Sequence, residues 1–184
     1  KNTARTRANQ DVRAHPPVML TRFPNVGAKK KKVLKKRIPE LAVLVAEAKA
    51  VDKAALPMLS GLTWGNHRTE KGSFRHKQNA GDVHAVFIDY DAGEITPEEA
   101  IDRLKALGLF VLLYTSPSHG MPSKGNRWRL VLPLSEPMSP DTYSDLVARV
   151  NGVFGGALAD ESFRFWQAYF YGPVKGQPSA QTFL

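Results

Sequence analysis

A chain of 184 residues, 42% of them hydrophobic, is long enough to bury one core and too short for two large ones. It has no cysteine, which excludes disulfides, zinc knuckles and thiol nucleophiles and leaves oxygen and imidazole as the available metal donors. The formal charge of +9 is concentrated at one end, since residues 1–37 hold 12 basic and one acidic side chain and the remainder holds 14 basic and 16 acidic.

No apolar run reaches bilayer length and no secretory signal is visible, so a soluble, cytoplasmic protein is expected. The basic segment 1–37, from "KNTARTR" to "KKKKVLKKR", reads as a flexible or partly helical arm. Its Lys29, Lys30, Lys31, Lys32, Lys35, Lys36 and Arg37 suit phosphate neutralisation and counterion release, a contact that carries no base readout.

From Pro39, "PELAVLVAEAKAV" spaces Leu41, Leu44, Val45, Ala48 and Val51 at helical intervals and predicts a helix to about Asp52. An irregular, glycine-punctuated stretch follows, with Lys71, Arg75 and Lys77 among its cations. "DVHAVFIDYD" then predicts a strand, and "ITPEEAIDRLKALG" a helix with Thr96 as N-cap, Pro97 in the first turn, Glu99 as the capping-box acid and Gly108 as terminator. "LFVLLYTS" and "RWRLVLPLS" predict two further strands, "SPDTYSDLVARVNGVFG" another helix, and "SFRFWQAYFYG" a closing aromatic segment. Strand, helix, strand implies a right-handed crossover with the first two strands parallel, and the glycine-rich link to the third implies a hairpin. The expected class is α/β (α+β): a mixed sheet with helices on one face, similar to a ferredoxin-like or RNA-recognition-like (RRM-like) palm.

Side chains two apart on a strand share a face, so Asp89 and Asp91 in "FIDYD" can point at one spot. Clustered carboxylates repel unless a cation lies between them, and a hard ion such as magnesium takes such oxygens while keeping positions for water and phosphate. In "YTSPSHGMPSKGNRWRLVLPL", His119 sits in a loop with Ser116, Ser118 and Lys124, and Arg127 and Arg129 share a face of the returning strand. Guanidinium forks suit phosphate oxygens. Asp160 in "LADES" is a candidate third acid, with Glu161 as its competitor.

Taken in order, "FIDYD", "SPSHG", "RWRLVLPLS", "ADES" and "QAYFYG" resemble the catalytic core of archaeo-eukaryotic primases, and within it the primase-polymerase domains of plasmid and phage replication proteins. The resemblance covers about Asp82 to Pro173 and implies a palm over 82–173 within a catalytic domain over 38–184, with 38–81 as its N-terminal subregion. It makes Asp89, Asp91 and Asp160 ligands for Mg2+ or Mn2+ in a two-metal site. His119 would contact the phosphates of an incoming nucleoside triphosphate, helped by Ser116, Ser118, Lys124, Arg127 and Arg129. The implied activity is template-directed nucleotidyl transfer on single-stranded DNA, alongside a helicase or another replication protein or fused domain, and away from membranes. One departure is Pro117, which stands two before His119 where that family carries a small residue. Two other readings use the same residues: a strand- or origin-binding module without chemistry, and a metal-dependent replication-initiator endonuclease. The latter normally pairs two histidines with a nucleophilic tyrosine, and no histidine lies close to His119 in the sequence.

Overall fold

The computed structural model describes residues 15–178 and 180–184. Among the described residues, nine strands form two antiparallel sheets. The larger has the order β4-β5-β7-β6-β9 and the smaller β2-β1-β3-β8. Their ranges are β1 Val18–Phe23, β2 Lys32–Lys36, β3 Met58–Ser60, β4 Leu62–Trp64, β5 Ala80–Gly93, β6 Leu112–Thr115, β7 Asn126–Met138, β8 Tyr169–Phe170 and β9 Thr182–Phe183. Three α-helices accompany them among the described residues: α1 Ile38–Glu47, α2 Pro97–Ala106 and α3 Tyr143–Val153. Among the described residues no helix is long and apolar enough to cross a membrane.

The predicted run β5, α2, β6, β7, α3 is present, and β5 and β6 do run parallel. They are not neighbours, because β7 inserts between them and pairs antiparallel with both. The outer strand beside β5 comes from before it, as β4, while the aromatic segment after α3 supplies β8 to the other sheet.

Alternation along β5 divides the interior. Val86, Ile88 and Tyr90 face a core shared with α2 and α3, together with Trp128 and Leu130 of β7. Ala85 and Phe87 face a second core built with α1, β1 and Tyr169. Both faces are covered, so β5 reads as a nearly continuous buried run, as a central strand must. The expectation of helices on one face holds for α2 and α3 and not for α1, which packs on the opposite side.

Local signals explain where helices start and stop. The Thr96 hydroxyl accepts the Glu99 amide and Gly108 takes φ +69°, as the caps predict. The Glu99 carboxylate instead meets Arg103 at 2.5 Å, one turn on. Helix α1 ends at Glu47 rather than near Asp52. Residues past it are claimed by another partner: the Ala50 amide donates to Pro173 O at 3.4 Å, and Lys175 N donates to Ala50 O at 2.7 Å. This bridge outweighs helix propensity and leaves Val51 73% exposed.

The basic arm expected over residues 1–37 is corrected in its second half. The stretch from Lys1 to Ala14 lies outside the described residues, but β1 and β2 form a hairpin whose Leu20 and Leu34 pair and pack against the core. Charge content concealed the apolar residues of "VMLTRF", of which Val18 and Leu20 pack in the second core and Phe23 in the first.

Beyond β4, the β5 edge opposite β7 is closed by side-chain hydroxyls and one loop amide rather than by a strand. The Tyr143 hydroxyl donates to Phe87 O at 3.0 Å and accepts from Phe87 N at 3.3 Å. The Ser162 hydroxyl accepts from Asp89 N at 2.9 Å and donates to Asp89 O at 3.2 Å, and Ala159 N donates to the same carbonyl at 3.0 Å. These bonds satisfy main-chain groups that β4 does not reach.

Gly61, between β3 and β4, has no room for a side chain, since a Cβ there would lie 1.8 Å from Ala85 O. Gly61→Ala is expected to lower the unfolding free energy by about 3 kcal/mol, read from urea midpoints at constant slope. A change within a few tenths of a kcal/mol would show that the two segments separate freely.

Candidate active site

Asp89 and Asp91 close the buried part of β5 and lie on its second-core face, with Tyr90 between them stacked on Trp128 at 4.5 Å on the other face. Asp89 is directly opposite Arg129 in register. Because the Asp89 amide and carbonyl both point to Ser162 and Ala159, this pair is of the non-hydrogen-bonded kind, in which cross-strand side chains come closest. Arg129 Nε meets Asp89 Oδ1 at 2.9 Å, with side chains 8% and 11% exposed. A second Arg129 nitrogen, Nη1, donates to Phe170 O at 2.5 Å, and the guanidinium lies 5.4 Å over the Tyr169 ring. Burial opposes the Arg129 charge, but the Asp89 carboxylate outweighs it and holds the guanidinium protonated more firmly than usual.

The second pair is looser. Arg127 Nη1 meets Asp91 Oδ1 at 3.0 Å, with side chains 21% and 42% exposed. A bulge between Tyr90 and Gly93 ends the regular pairing here. Burial, and then the charge of Asp89, push the Asp91 carboxyl above the usual carboxylate range, against the pull of Arg127, Arg129 and Lys53. The Tyr114 hydroxyl, opposite Arg129 on β6, is buried with no hydrogen-bond partner among the described residues.

His119 is tied to the same strand. Its Nδ1 accepts the Arg127 amide at 3.1 Å, so the neutral ring carries its proton on Nε2. Arg127 thus joins imidazole through its main chain and Asp91 through its side chain. The loop is braced by Ser116 N donating to Arg127 O at 2.9 Å and Ser118 N donating to the Ser116 hydroxyl at 3.3 Å. Lys124 is exposed, and its carbonyl accepts Arg127 Nε at 3.3 Å. Ser116 and His119 line a cleft of about 450 Å³ whose far wall is Gly172, Pro173, Gly176 and Gln177.

Several expected site residues sit elsewhere or are otherwise engaged. Asp160 is exposed on a 3-10 turn, Asp160–Phe163, that docks on β5 through Ser162 and Ala159. Among the described residues no three His, Asp or Glu side chains gather closely enough to hold a metal, so Asp160 does not complete a carboxylate trio. Arg129 is buried against Asp89 and Phe170, and is not free for phosphate. The Lys31 ammonium is bonded to the Trp64 and Gly65 carbonyls rather than presented to a polyanion. Lys29, Lys30, Lys32, Lys35 and Arg37 are exposed and Lys36 half-buried. Lys71 and Lys77 are exposed, while Arg75 is partly buried and donates to Gln167 Oε1 at 3.2 Å. Sequence reasoning missed Ser162, the residue that joins the "ADES" turn to the Asp89 main chain. Its only signal was a hydroxyl two after Asp160, too common to single out.

No protein-family model matches the chain, and no curated protein matches it. Among solved structures it is similar to the AEP domain of the cyanophage S-2L primase-polymerase, at 13% identity over 97% of this chain and 87% of that one, with a TM-score of 0.48. It is also similar to the polymerase domain of Mycobacterium tuberculosis ligase D in complex with DNA, at 15% identity over 90% and 71% of the two chains, with a TM-score of 0.40. At such identity neither assigns a role to any residue here.

Arg129→Ala would strand a buried carboxylate, so the expected cost is about 3–5 kcal/mol, measured by denaturant unfolding. A loss under about 1 kcal/mol would mean that water reaches Asp89 freely. For Asp91 the sign is opposite. A carboxyl raised on folding stabilises the fold at low pH, and that contribution is lost as pH rises through its folded pKa. Asp91→Asn is therefore expected to raise the unfolding midpoint at neutral pH and to leave it unchanged in acid. A lower midpoint at neutral pH would show that the bond to Arg127 dominates.

Proposed function

We propose that the chain is a divalent-cation-dependent nucleotidyltransferase of the primase-polymerase type, adding nucleotides on a single-stranded DNA template. The observation that carries this reading is the ladder at the end of β5 and β7: two carboxylates on one face, two arginines opposite them, and an imidazole keyed to the outer arginine. The order of its motifs, which resembles that of archaeo-eukaryotic primases, supports it.

Asp91 is raised first by burial and then by the charge of Asp89, and a carboxylate pair so placed fits one hard divalent cation, Mg2+ or Mn2+, completed by water and phosphate oxygens. Asp89 and Asp91 would hold such a cation, which would supply charge stabilisation at the phosphoryl group and acidify the attacking hydroxyl. Asp160 is assigned no ligand role. Arg127, being partly exposed, can exchange Asp91 for a phosphate, and its planar fork suits that partner. The Nε2 proton of His119 is directed away from the Arg127 amide and is available to a phosphate oxygen at the cleft. Arg129 acts through Asp89, fixing the orientation of its carboxylate.

A strand-binding module without chemistry is favoured by one observation: Asp89 is already compensated by Arg129 with no cation. Primer extension with nucleoside triphosphates and manganese separates the two readings. Extension should fall by about a hundredfold or more in Asp91→Ala, with an unfolding midpoint no lower than that of the unaltered chain. Unchanged extension in Asp91→Ala removes the carboxylate from the mechanism. Salt-sensitive strand binding without manganese dependence or incorporation in the unaltered chain would establish the binder instead.

A further inference from the structure

Three aromatic rings between the 3-10 turn and the end of β8 keep part of their surface in solvent: Phe165, Trp166 and Phe170. They differ in this from Tyr90, Tyr114 and Trp128, which are fully enclosed. Cations lie over two of them, Lys77 Nζ at 5.6 Å from the Trp166 ring centre and Lys53 Nζ at 5.9 Å from that of Phe170. Phe165 braces Trp166 edge-on at 5.1 Å, so the indole is held rather than loose. Next in sequence to it, Gln167 accepts Arg75 Nη1 at 3.2 Å, while Arg75 Nε is buried with no partner among the described residues.

The surroundings favour a polyanion. From Lys53 to Lys77 the chain carries five lysines and arginines against one acid, Glu70. The strip also leads to the carboxylates, because Phe170 O accepts from Arg129 and the charge of Lys53 acts on Asp91.

Aromatic faces bordered by cations bind single strands by stacking bases and neutralising phosphates, largely without regard to sequence. We propose that Trp166 and Phe170 are stacking platforms for a single-stranded nucleic acid, with its phosphates on Lys77 and Lys53, and that the strand runs from there toward Asp89 and Asp91. The direction of the strand rests on the function proposed above; its binding to the platforms does not.

Intrinsic fluorescence tests this directly. Of the three tryptophans, Trp64 and Trp128 are 5% and 0% exposed, so a strand that stacks on the protein quenches Trp166 alone. Oligothymidine and oligouridine should both quench, since the platform reads base faces and phosphate, and duplex DNA should quench little. Trp166→Phe should abolish the quench while retaining most of the affinity measured by anisotropy. Trp166→Ala, and the exposed-site variant Lys77→Glu, should each weaken binding about tenfold or more. Strand binding without quenching, equal affinity for duplex, or unchanged binding in both Trp166→Ala and Lys77→Glu overturns the proposal. Quenching is read without divalent cation or nucleotide and primer extension with both, so a failure of strand binding and a failure of cation-dependent chemistry are read separately.

Discussion

The Asp89–Arg129 ion pair is the constraint around which the rest of the site is arranged. Both charges lie almost wholly out of water, and neither is tolerable alone. Arginine satisfies the carboxylate with one nitrogen and the Phe170 carbonyl with another, so it also ties the larger sheet to β8 of the smaller one. The Asp89 main chain is held on the opposite side by Ser162 and Ala159. Asp89 is therefore fixed by two segments distant in sequence, β7 and the turn at 159–162, and the strand leading to Asp91 inherits that rigidity.

A contrast of environments follows within two residues. Asp89 is enclosed, paired and structurally necessary, whereas Asp91 is part-exposed, bears a raised carboxyl and meets an arginine that water also reaches. Perturbed carboxyls beside fully compensated ones are where proteins hold reactive or ligand-binding groups at some cost in stability. The same division holds among cations. Lys31 and Arg129 are committed to carbonyls and a carboxylate, while Arg127, Lys77 and Lys53 remain where a mobile anion can meet them.

Much of this was legible in the sequence where a local rule had no rival. Thr96 and Gly108 bounded α2 correctly, and the alternation in "VFIDYD" put both aspartates on one face. Elsewhere a distant partner decided. Helix α1 stops early because Ala50 pairs with residues 173–175, a contact more than a hundred positions away. The hairpin of β1 and β2 was hidden because lysines flank its apolar residues, and composition registers charge without register. The resemblance makes Asp160 a third ligand, and its segment does return to Asp89. The contact is made by the Ser162 hydroxyl and the Ala159 amide, and no sequence pattern distinguishes a turn that docks by main chain from one that docks by carboxylate.

The hydroxyls that close the free edge of β5 have a further effect. A sheet border with open amides and carbonyls is a template on which a strand from another molecule can add. At Phe87 and Asp89 that border is occupied by Tyr143 and Ser162, each of which both donates and accepts at a single residue. An incoming strand would have to displace two buried hydroxyls before gaining its first bond. Beyond its pairing with β4, this buried strand is thus withheld from intermolecular pairing by two hydroxyls and the Ala159 amide, without a further strand to shield it.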